Sequence, residues 1–122
     1  MLSNGRVIID DKKLEIGPLP KALYILFLKH NDTGIRVVNL SDYRDELRSI
    51  YKLLRPAGND EHIEGLVDLE DGTFNFNKSR LNKKIRELIG EPLANFYTID
   101  GNPGAEFRIN TPVDSISISI WI

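Results

Sequence analysis

The sequence predicts an α+β fold in which helices fill the middle of the chain and extended segments flank them. Three observations carry that expectation. The run PLPKALYILFLKH, Pro18 to His30, is apolar nearly all round at helical spacing, as in a helix covered on more than one side. The run from Phe74 to Gly90 reads as an amphipathic helix with a cationic outer face, entered from an extended segment and closed by a glycine. The final VDSISISIWI places Ile116, Ile118, Ile120 and Ile122 on one side and Ser115, Ser117, Ser119 and Trp121 on the other, the period of a strand with one face on a core.

A chain of 122 residues is the size of one domain. We expect a single unit over 1–122, with its core in 7–109 and a strand extension in 113–122. A hydrophobic share of 41% and a charged share of 28% exclude wholesale disorder. With no cysteine there is no disulfide framework, thiolate nucleophile or cysteine-ligated zinc, which fits a reducing compartment. MLSNGRVIID has no apolar run of signal-peptide length, and no later run approaches the ~20 residues that span a bilayer. The expectation is a cytoplasmic protein without a membrane segment.

Taken in order, Val7–Ile9 and Leu14–Ile16 flank Asp10, Asp11, Lys12 and Lys13 and predict a β-hairpin. After Gly17, Pro20 sits where the first turn of a helix tolerates proline, and Leu19, Leu23, Leu26 and Phe27 oppose Tyr24, Ile25 and Leu28, which makes this the central helix. NDTG is a loop and IRVV a short strand. A second helix is expected to open near Asn39 or Ser41, either of which can cap it, and to bury Leu40, Tyr43, Leu47, Ile50, Tyr51 and Leu54. Pro56 and Gly58 end it, and a short helix around His62 to Val67 precedes Gly72.

The basic helix is then expected over 77–89. It buries Leu81, Ile85, Leu88 and Ile89, and turns Ser79, Asn82, Lys83 and Arg86 outward with Arg80 at the margin. From Asn77 to Gly90 the net charge is +4, in a chain whose formal net charge is −2, so the remainder carries −6. Positive charge is concentrated on one element, the footprint of a nucleic-acid contact, although the sequence pI of about 5.7 is low for a dedicated binder. In ANFYTIDGNPGAEFRI two strand-like runs lie either side of Asp100, Gly101, Asn102, Pro103 and Gly104 and predict a further hairpin.

The order hairpin, helix, short strand, helix, linking segment, basic helix, hairpin resembles a winged helix-turn-helix, in which a β-hairpin wing follows the recognition helix. Within that group the chain is similar to the OmpR/PhoB-type effector domains of bacterial response regulators. The matching residues are Arg80, Leu81, Asn82, Lys84 and Ile85 in SRLNKKI, then Glu106, Phe107, Arg108 and Ile109 in AEFRI. Asn82 stands where that family has an arginine. The first helix also resembles that of small uncharacterised bacterial proteins with an LPKALY-type segment. The resemblance implies three main helices, an N-terminal β-hairpin and a C-terminal wing hairpin; the alternating tail adds an extra C-terminal strand that has no counterpart in that family.

On this reading the protein is a DNA-binding transcriptional regulator. Arg80, Lys83 and Arg86 contact phosphates of duplex DNA while Ser79 and Asn82 reach base edges. Gly101, Asn102 and Gly104 form the wing tip, where the glycines serve turn geometry. The alternative is a winged helix used as a non-enzymatic protein-interaction module that does not bind DNA, with the apolar tail and the acidic linker before the basic helix, which carries Asp60, Glu61, Glu64, Asp68, Glu70 and Asp71, as contact surfaces. No motif brings a nucleophile, base and orienting group together, so neither an enzyme, a cofactor, a metal nor a small-molecule substrate is expected. An uncharged SISISIWI must pair either within the N-terminal sheet or across a homodimer boundary.

Overall fold

The computed structural model describes residues 5–9, 12–55, 61–67, 72–101, 105–109 and 116–120. The order is β1 (Gly5–Ile9), β2 (Lys12–Lys13), α1 (Pro18–Lys29), β3 (Ile35–Arg36), a 3₁₀ segment (Val37–Tyr43), α2 (Arg44–Leu54), α3 (Glu61–Val67), α4 (Thr73–Ile89), a 3₁₀ turn (Leu93–Phe96), β4 (Ile99–Asp100), β5 (Glu106–Ile109) and β6 (Ile116–Ile120). The fold is mixed α+β and mostly helical, with two small antiparallel sheets among the described residues.

Helix α1 is the centre of the core, as its all-round apolarity requires. Every residue from Pro20 to Leu28 is buried, with α2 and α4 packed against it. The buried Tyr24 hydroxyl donates to the Tyr97 carbonyl at 2.7 Å. Burial, reinforced by the neighbouring Tyr97, pushes its phenol far above the ordinary tyrosine range. Lys21 is also buried. Burial and the nearby Lys13 hold its ammonium below the usual lysine range, against an opposing pull from Glu15.

The first sheet has the order β2-β1-β6. Its register sets Ile116 opposite Ile9 and Ile118 opposite Val7, and Val7 and Ile9 have no exposed surface. The strand seen in the isoleucine–serine alternation therefore pairs within the chain. Residues 113–115 and 121–122 of the expected extension lie outside the described residues. The first hairpin is tighter than its apolar runs suggest. Lys12 and Lys13 already pair with Ile9 and Ile8, and Leu14 follows as a buried residue whose N–H donates to the Val7 carbonyl at 2.9 Å.

The second sheet has the order β3-β5-β4, with Ile35 opposite Phe107 and Ile99 opposite Ile109. The loop after α1 grips β5. Asn31 Oδ1 accepts from the Ile109 N–H at 2.8 Å, and Arg108 donates to the Thr33 carbonyl at 3.1 Å. Gly34 has φ of 73°, and a Cβ there would lie 2.8 Å from Glu106 Cβ and 3.0 Å from the Phe107 carbonyl oxygen. Only glycine meets both conditions without strain.

Three expected boundaries shift. IRVV forms a strand only over Ile35–Arg36. Asn39 and Ser41 lie inside the 3₁₀ segment instead of capping α2, which starts at Arg44 without a side-chain cap. The tighter coil buries Leu40 and brings Tyr43 edge-on to His30 at 4.8 Å, while Glu46 Oε1 lies 2.7 Å from His30 Nε2. The ANFY stretch is mostly a 3₁₀ turn, and the hairpin strands begin later, at Ile99. The short helix expected around His62 to Val67 is α3. Among the described residues no helix is long and apolar enough to cross a membrane.

Candidate functional site

Helix α4 starts at Thr73, well before the expected Asn77, so TFNF belongs to the helix and not to an extended lead-in. Its N-cap is Gly72, at φ 76° in the left-handed region and without a side-chain cap bond. The alternation of Phe and Asn imitates a strand. In a helix Phe74 and Phe76 fall about 200° apart, and Phe74 is accordingly buried while Phe76 is 62% exposed.

The inner face anchors the helix at several points. Phe74 stacks at 6.2 Å on Phe27 of α1 and meets Phe107 of β5 edge-on at 6.0 Å. Leu81 and Ile85 have no exposed surface.

Asn82 corrects the sequence reading. It does not share the outer face with Ser79, Lys83 and Arg86 but is buried. Its amide Nδ2 donates to the Ile99 carbonyl at 3.1 Å, and its Oδ1 accepts from the Ile99 N–H at 3.0 Å. One side chain thus serves both main-chain groups of a β4 residue. The cause is tertiary: helical projection turns Asn82 outward when the helix is taken alone, and β4 returns along that side and covers it.

The remaining residues of the expected outer face are where projection puts them. Ser79, Arg80, Lys83 and Arg86 are exposed, together with Phe76, Lys84 and Glu87. The Arg80 guanidinium lies over the Phe76 ring, 5.6 Å from its centroid. Lys78 is instead on the hairpin side, half-buried, with its ammonium 5.0 Å from the centre of the Phe107 ring. Both are cation–π contacts that hold a flexible side chain in place. Arg86 Nε is 3.2 Å from the Glu91 carboxylate.

Arg80 lines two open grooves. One, of about 410 Å³, is bounded by Glu15, Gly17, Lys83, Lys84 and Glu87. The other, of about 400 Å³, runs between Leu19, Tyr51, Arg55, Phe76 and Asn77.

The linker acids bear directly on whether this face is open. Glu64 is turned to α2, pairing with Arg44 at 3.2 Å and Arg48 at 3.4 Å, and Glu61 is exposed. Asp60, Asp68, Glu70 and Asp71 lie outside the described residues.

At the expected wing tip, Gly101 is exposed. A Cβ on it would lie 2.7 Å from the Glu106 carbonyl and 2.9 Å from Phe107 Cα, so glycine lets the strands approach closely. Asn102 and Gly104 lie outside the described residues. The acids Asp100 and Glu106 on the hairpin are exposed.

Phe76 is the surface residue that the sequence reading missed. Its signal was weak, since Gly72 stands where a polar cap would mark a helix start ahead of TFNF. Comparison of the chain with family models, with curated proteins and with solved structures finds no match.

Proposed function

We propose that this protein is a winged-helix transcriptional regulator that binds duplex DNA through α4. The observation that carries the reading is the exposed row Ser79, Arg80, Lys83 and Arg86 on a helix of net charge +4, with the described linker acid Glu64 engaged elsewhere. The position of α4 supports it, since the helix follows α1, β3 and α2 and is itself followed by the β4–β5 hairpin, the order of a recognition helix and its wing. Lys83 and Arg86 take phosphates, while Ser79 and Arg80, the latter held over the Phe76 ring, face base edges. Asn82 leaves the set of base readers for a role in positioning the hairpin.

A fluorescence-anisotropy titration against mixed-sequence duplexes at low salt tests the reading. Binding is expected to weaken with salt, and each of Lys83→Gln and Arg86→Gln to lower the slope by ~0.9. Absence of binding at ~10⁻⁴ M protein overturns the proposal, because ordinary non-specific affinities are tighter than that.

One observation favours the second reading, a protein-interaction module of the same fold. Leu93 and Phe96 are 43% and 53% exposed on the 3₁₀ turn after α4, and residues three apart in such a turn share a side. A purified complex that survives Lys83→Glu and Arg86→Glu supports this module; loss of the complex in those variants counts against it.

The homodimer extends the first reading. Among the described strands β6 has β1 as its neighbour and lies at the end of the sheet. Its sequence ISISI reads the same in both directions, so two antiparallel copies match isoleucine with isoleucine and serine with serine about a two-fold axis. Sedimentation equilibrium should then show a dimer weakened by Ser117→Lys and Ser119→Lys, since lysine blunts strand edges. A monomer at all concentrations removes this element.

A further inference from the structure

An exposed phenylalanine on the polar face of a helix is unusual when the rest of that face is charged. Phe76 is 62% exposed. It precedes Arg80 by one helical turn, on the same face as Ser79 and Lys83. Its ring also holds the Arg80 guanidinium 5.6 Å from its centroid, which restricts a side chain that would otherwise sample many rotamers. The pair presents an apolar disc beside a planar five-donor fork.

Those two shapes match two features of the DNA major groove. Apolar side chains contact the C5-methyl group of thymine, and arginine pairs bidentately with guanine O6 and N7. Ser79 and Lys83 flank the pair, and their smaller or more flexible groups do not compete for the same space.

We infer that Phe76 and Arg80 are a joint specificity element that selects a thymine next to a guanine, Phe76 on the thymine methyl and Arg80 on the guanine edge. This rests on α4 entering a major groove. It goes further by giving the helix a sequence preference and by assigning it to a residue outside the cationic row. The cation–π contact in the free protein is the pre-organised form of the reader, so less side-chain freedom is lost on binding.

The test begins with selection of wild-type binders from a random-sequence duplex library, followed by replacement of each enriched thymine with uracil, which removes the methyl and nothing else. The expected site contains a thymine–guanine step. Uracil at that thymine should weaken binding roughly fourfold, the worth of one methyl group taken out of water. Phe76→Ala should bind thymine and uracil sites equally, with an unchanged salt slope because no phosphate contact is lost. Phe76→Leu keeps an apolar contact and should retain part of the thymine preference, while Arg80→Lys should lose the guanine preference and keep that for thymine.

Because Phe76 is exposed, these variants should melt with the wild type. DNA binding with an enriched site that lacks thymine, or in which uracil is silent, overturns the inference and leaves the DNA-binding reading intact. An absence of binding to any duplex overturns both.

Discussion

Replacing Asn82 by alanine strands the N–H and carbonyl of Ile99, a residue with no exposed surface. A buried main-chain group left without a partner costs about 1–3 kcal/mol, so the pair sets an expected loss of about 2–4 kcal/mol, allowing for partial relaxation. With about 2.1 cal/mol/K of unfolding entropy per residue, a chain of this length should melt about 8–16 °C lower. Differential scanning calorimetry reads both quantities.

Asn82→Asp adds a test of mechanism. A carboxylate still accepts from the Ile99 N–H but faces the Ile99 carbonyl with no proton to donate. Burial and that carbonyl raise its folded pKa above the unfolded value of about 3.9. The stability of this variant is therefore present below the unfolded pKa, where the acid is protonated and donates, and is lost as pH rises through the raised folded pKa. The reasoning fails if Asn82→Ala costs less than about 1 kcal/mol or if Asn82→Asp is indifferent to pH. An asparagine that read bases from the outer face would give that pattern, with altered DNA selectivity and an unchanged melting temperature.

Gly34→Ala should cost about 2–3 kcal/mol in urea unfolding, since it combines a left-handed φ with a Cβ against backbone. Gly72→Ala, at φ 76° with nothing within 4 Å, should cost only about 1 kcal/mol for the conformation alone; equal losses would remove the close-contact argument. Glu91→Gln frees Arg86 from its ion pair, so DNA affinity should rise a few-fold at low salt and the gain should fade as salt screens it. A gain that persists in high salt would mean Glu91 acts otherwise. Tyr24→Phe leaves the Tyr97 carbonyl without its hydroxyl donor and should cost about 1 kcal/mol at neutral pH. The raised phenol pKa makes wild-type stability fall as pH climbs above the unfolded tyrosine value of about 10, and the phenylalanine variant should lose that part of the alkaline slope.

What the sequence disclosed and what it hid have different physical origins. The burial of α1 and the cationic surface of α4 are set by period and charge within one element, and both are visible in the residues themselves. Pairing of β6 inside the N-terminal sheet was one of two open outcomes. Its alternation fixes which residues face together but says nothing about which strand they meet. The start of α4 was hidden because Phe and Asn alternate through the first turn and because a left-handed Gly72 replaces the usual polar cap. Asn82 was misplaced because its burial depends on β4, which lies far along the chain and which no helical wheel contains. The ion pair of Arg86 with Glu91 has the same character, since a surface cation looks free until the chain beyond its helix is placed.

The β1–β6 ladder joins the first described strand to the last. Without β6, the residues of β1 and β2 are a two-stranded ribbon, which is marginal in water, and Val7 and Ile9 would lose their cross-strand partners. Without β1, β6 has no ladder in the described sheet. Neither strand can hold its amides against solvent alone, so the two should exchange hydrogen for deuterium as one cooperative unit, while α1, gripped by α2 and α4, exchanges only with global unfolding. The sheet thus behaves as a clasp: it opens at both strands together or stays shut.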